Sequence, residues 1–70
     1  MDSDFVCVYT HKTLYIVEML KEVLTDNNIE SYVMNKQDSS YHFGSIELYV
    51  MPQDEARAKE IILEFDKNRI

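Results

Sequence analysis

Residues 46–52 read Ile-Glu-Leu-Tyr-Val-Met-Pro, and this run limits the fold more than any other. Its period of two predicts a strand with Ile46, Leu48 and Val50 on one face and Glu47, Tyr49 and Met51 on the other. Pro52 ends the strand and suits a helix start, where Asp54 and Glu55 lie favourably near the positive helix end. Only Glu47 interrupts the apolar and aromatic character of either face. A strand of this kind asks the rest of the chain to cover it.

Two further stretches read as strands. Phe5-Val6-Cys7-Val8-Tyr9 is β-branched and aromatic, and Ile29–Lys36 carries Tyr32 and Val33 between polar flanks. Between them Leu14, Val17, Leu20 and Leu24 recur at helical spacing, widened by Ile16 and Val23, with Glu18, Lys21 and Glu22 on the wet side. Thr13 is placed to cap this helix, and Asn27-Asn28 to end it, since Asn tolerates the left-handed conformation. After Pro52, Ala58, Ile61, Ile62 and Phe65 form the buried stripe of a second helix. The order is β-α-β-β-α. A right-handed crossover joins the first two strands, and the third slots antiparallel between them. The expected fold class is α+β: a ferredoxin-like, three-stranded antiparallel sheet with two helices on one face.

Seventy residues leave room for one small domain, spanning residues 1–70. A chain of this size buries only about 60% of its unfolded surface, and small domains commonly add a staple or a partner subunit. A single cysteine cannot supply an internal disulfide. Cys7, inside an apolar run, is expected to be a small buried hydrophobe in a reducing compartment, which makes the cytoplasm the default location. The acidic start MDSDFVCVY does not read as a secretory leader, and no stretch approaches a membrane span.

Two helices cover one side of the sheet only. Tyr32, Met34, Tyr49 and Met51 are expected on the other side, joined by either Val6 and Val8 or Phe5, Cys7 and Tyr9. An apolar patch of this kind marks an interaction surface, so the open face, or the edge beside it, is the expected assembly interface of a homo-oligomer, with a dimer favoured.

Charge and motifs narrow the function classes. Seven Lys and Arg against thirteen Asp and Glu leave a net charge of −6, the wrong balance for neutralising phosphates or an anionic membrane surface. Tyr49 on an open sheet face resembles the stacking aromatics of RNA-recognition domains, but the basic residues of that signature are missing and Glu47 shares the face. Two histidines and one cysteine are too few for a metal site; Cys7 and His11 on one strand lie about 13 Å apart. No cofactor motif is found. Ser39 and Ser40 near His42 lack an oriented base and an anion-cradling glycine turn, so no catalytic residue is assigned. The irregular stretch 37–44 mixes hydrogen-bonding side chains with Phe43, a composition that binding loops use. Asn35, Gln37, Ser40, Tyr41 and His42 are the candidate ligand-binding residues, for a small molecule or a partner protein. Without a ligand, the alternative is an adaptor that docks partners on the sheet face or edge.

The chain as a whole resembles a known family. Val8-Tyr9-Thr10 closes the first strand, a Glu- and Leu-rich helix leads to a second strand ending at Asn35, and a Ser/Gly stretch precedes Ile46-Glu47-Leu48-Tyr49-Val50-Met51-Pro52. Acidic residues and Ala follow. Over residues 6–65 this is similar to a small prokaryotic domain of unknown function labelled a putative signal-transducing protein. The resemblance implies a GlnB-like (PII-like) ferredoxin-like fold and a regulatory or sensing role. Asn28 stands where the family often has Gly, and Met51 is inserted between Val50 and Pro52, which shifts the second helix by one residue. The long basic loop of PII-type nucleotide binding has no counterpart, so nucleotide sensing does not transfer.

Overall fold

The computed structural model describes residues 4–36 and 45–68. Strand β1 (Val6–His11) leads through helix α1 (Leu14–Asp26) to β2 (Ser31–Asn35); β3 (Ile46–Val50) follows, then a single 3-10 turn (Pro52–Asp54) and helix α2 (Glu55–Asn68). The sheet order is β1-β3-β2, with β3 antiparallel to both neighbours. This is the expected α+β, ferredoxin-like arrangement. The 3-10 turn delays α2: the Asp54 N–H donates to the Met51 carbonyl at 2.9 Å, and the helix proper begins at Glu55.

Period-two alternation in β3 places Ile46, Leu48 and Val50 fully buried against the helices. Val17, Leu20 and Leu24 of α1 and Ala58 and Ile62 of α2 complete that layer. Each fully buried aliphatic side chain contributes about 1.5–3 kcal/mol, so this one layer carries most of the driving force for folding. Ile61, Phe65, Ile16 and Val23 are half-buried along the stripe margins, whereas Leu14, the first residue of α1, is 42% exposed because the helix has not yet settled on the sheet.

The end of α1 follows from Asn27 and Asn28. Asn28 adopts φ 64°, the left-handed region. With that bend the Asn28 N–H reaches the Thr25 carbonyl at 3.0 Å, and the Ile29 N–H reaches Leu24 at 2.9 Å. These are the two bonds of a Schellman cap, and the buried pair Leu24 and Ile29 supplies its hydrophobic contact. At the other end, Thr13 occupies the cap position without a side-chain capping bond. Its own N–H donates to His11 Nδ1 at 3.0 Å.

The first strand departs from both expected orientations. Cys7 lies opposite Tyr49 and Tyr9 opposite Leu48, so Val8 is an extra residue, a β-bulge. The bulge resets the alternation: Val6, before it, and Tyr9, after it, both face the helices. Tyr9 donates its hydroxyl to Asp66 of α2 at 3.2 Å and stacks on His11. Cys7 is therefore exposed rather than buried, because it precedes the bulge on the phase that points away from the helices.

Candidate functional site

The sheet face turned away from the helices is the candidate site. In β2 and β3, alternation assigns it Tyr32, Met34, Glu47 and Tyr49, and in β1 the residues paired with them are Cys7 and Thr10. Two rows cross the sheet: Cys7, Tyr49 and Tyr32, then Thr10, Glu47 and Met34. Tyr32 is 44% and Met34 50% exposed, the outermost apolar groups of the face. Phe5 reaches across the central strand, its ring meeting that of Tyr32 edge-on with centroids 4.5 Å apart. Such edge-to-face pairs are worth about 0.5–1.5 kcal/mol beyond area burial. They also fix a ring that would otherwise move freely in water.

Polar groups order the rest of the face. The Tyr49 hydroxyl donates to Glu47 Oε1 at 2.6 Å, and Lys36 Nζ lies 3.5 Å from the same oxygen. The Tyr49 hydrogen bond chiefly, with the Lys36 charge, holds the Glu47 carboxyl below its usual range, against the opposing effect of partial desolvation. The same bond raises the Tyr49 phenol above its ordinary value, aided by desolvation and the nearby carboxylate charge. Tyr32 makes the equivalent bond to Glu30 Oε2 at 2.9 Å, again two residues away, with Glu30 just before β2, and its phenol is likewise raised. Both tyrosines are thus oriented with their rings over the face and their hydroxyls spent on carboxylates.

Of the residues named from sequence, Tyr32, Met34 and Tyr49 share this face. Met51 lies just beyond β3, half-buried, and starts the 3-10 turn. Asn35 is exposed at the end of β2 but pairs with Ile46, so it belongs to the helix side, away from Tyr32 and Met34. Gln37, Ser40, Tyr41 and His42 lie outside the described residues. Sequence reasoning missed the Lys36–Glu47–Tyr49 network and the Glu30–Tyr32 bond. The signal was present, because residues two apart on a strand share a face.

Among the described residues, no group of three or more His, Cys, Asp or Glu side chains is placed to hold a metal ion. Nor is any helix there long and apolar enough to cross a membrane. The fold and this face define a small ferredoxin-like α+β protein that presents ordered aromatic side chains on an open sheet. The chain belongs to the family described as "putative prokaryotic signal transducing protein", which matches residues 5–66. That description points to signal transduction rather than to a reaction. No curated protein and no solved structure matches the chain.

Proposed function

We propose that the chain is a non-enzymatic signal-transducing module that self-associates and meets its protein partner on the open sheet face. One observation carries the reading: Phe5, Tyr32, Met34 and Tyr49 gather on the side of the sheet that neither helix covers. The rings are held by one another and by Glu30 and Glu47, so a partner covering them loses little side-chain freedom. Covering the face also adds apolar burial to a chain short of core. The connection between β2 and β3, with Asn35 at its start, is the proposed small-molecule site. Lys36, next to Asn35 in the chain, pairs with Glu47 of the face network at 3.5 Å.

Sedimentation equilibrium tests the reading. At micromolar concentration the wild-type chain is expected to weigh more than one 8.3 kDa copy. Tyr32→Glu, which sets a carboxylate among the exposed apolar groups, is expected to lower that mass. A wild-type mass of one copy throughout the range overturns self-association.

A further inference from the structure

We propose that two copies of the chain pair along their β2 edges, antiparallel, in the register centred on Val33. This deepens the self-association reading above by naming the interface. The two sheet edges differ. The β1 edge is broken by the Val8 bulge, a common device for blunting an edge. The β2 edge runs regularly from Ser31 to Asn35 without bulge, proline or charge.

Backbone phase allows this register. The Lys36 N–H donates to the Ser45 carbonyl at 3.2 Å, continuing the β2–β3 pairing. In an antiparallel ladder hydrogen-bonded pairs alternate, so the backbone groups of Met34 and Tyr32 also point to β3. Those of Val33 and Ser31 point outward. A two-fold axis at Val33 sets Val33 against the second copy's Val33 as a pair that exchanges both bonds. A one-residue slip would set outward groups against inward ones.

Side chains agree with the backbone. Centring on Val33 places Tyr32 opposite the second copy's Met34 on the open face, an aromatic–thioether contact between two exposed groups. It places Glu30 opposite the second copy's Lys36, twice by symmetry. On the helix side it places Ser31 opposite Asn35. Ser31 is only 5% exposed, and its Oγ is the one buried side-chain oxygen or nitrogen among the described residues with no hydrogen-bond partner. A groove between α1 and β2, lined by Glu18, Lys21, Thr25 and Val33, opens beside it. The Oγ is closed to water within one copy, so the Ser31 side chain turns towards this groove on pairing; an Asn amide carries two donor hydrogens, and Asn35 of the second copy can then serve the hydroxyl beside any bond it already makes. The dimer is a six-stranded sheet, with the two open faces joined into one surface for a partner.

The test is a charge exchange read by sedimentation equilibrium in low-salt buffer. Glu30→Lys and Lys36→Glu each set like charges opposite each other at two symmetric positions, and each is expected to weaken the homodimer roughly tenfold or more. Mixed together, the two variants face Lys with Glu at both positions and are expected to form a heterodimer of near wild-type affinity. Single variants that dimerise like wild type, or a mixture that stays unassociated, overturn the edge register while a wild-type dimer leaves self-association standing. A monomeric wild type overturns both.

Discussion

The Tyr49 hydroxyl lies 2.6 Å from Glu47 Oε1, two residues away on the same strand, and this one bond moves both groups' ionisation in opposite directions. Glu47 is lowered, so its contribution to stability is fully present above the ordinary carboxylate value of 4.5 and is lost as pH falls through the lower folded value. Tyr49 is raised, so its contribution is present below the ordinary phenol value of 10.0 and is lost as pH rises through the higher folded value. Tyr49→Phe removes the bond and keeps the ring. The difference in Tm between wild type and Tyr49→Phe should be greatest between those limits and shrink towards both ends. A difference that stays flat from about pH 3 to about pH 11 contradicts this account.

Asn28 holds a left-handed backbone at the end of α1. A Cβ without a compensating polar group costs about 1–2 kcal/mol in that region. Asn28→Ala is therefore expected to lower stability by about 1 kcal/mol, a fall in Tm of about 4–8 °C for a chain this short. Asn28→Gly should match or exceed wild type. Thermal melts of the three proteins at one concentration check the order; Ala equal to Gly would remove the cap from the account of how α1 stops.

Strand order and helix placement were legible because two periods were clean: every second residue from Ile46 to Val50, and every third or fourth from Val17 to Leu24. The helix stop was legible from Asn27-Asn28. The face of β1 was not, because Phe5 to Tyr9 is apolar at nearly every position and carries no phase. The bulge at Val8, with no glycine to mark it, then put Val6 and Tyr9 on the same side and Cys7 on the other. For the site, Tyr32, Met34 and Tyr49 followed from alternation alone. The meaning of Glu30, Ser31 and Lys36 did not. It depends on β2 being an edge and on which of its backbone groups point outward, facts of tertiary pairing that no local pattern encodes.

Ser31 gives a prediction that separates the folding of one copy from the pairing of two. Its buried hydroxyl lacks a partner among the described residues, a cost of about 1–3 kcal/mol for a group taken out of water. Ser31→Ala should raise stability by about 1 kcal/mol in urea unfolding at concentrations low enough to keep the chain monomeric. It should also weaken association, since Asn35 of a second copy then has no hydroxyl to meet. A variant less stable than wild type at low concentration would mean that the hydroxyl is satisfied within the single chain.

Cys7 reports which surface is covered. It is exposed, on β1, in the same row as Tyr49 and Tyr32 but at the opposite edge of the sheet from β2. Native protein should react with a thiol reagent within about threefold of the unfolded chain's rate. A thiol reached only through an opening of about 3 kcal/mol would react roughly a hundredfold more slowly. Pairing through β2 leaves Cys7 uncovered, so its rate should not change as protein concentration rises through the dimer transition. Stacking of two open faces would cover the row and slow the reaction over the same range. A rate that is constant while the mass doubles assigns association to the edge. A rate that falls with the doubling assigns it to the face and leaves the β2 strands unpaired.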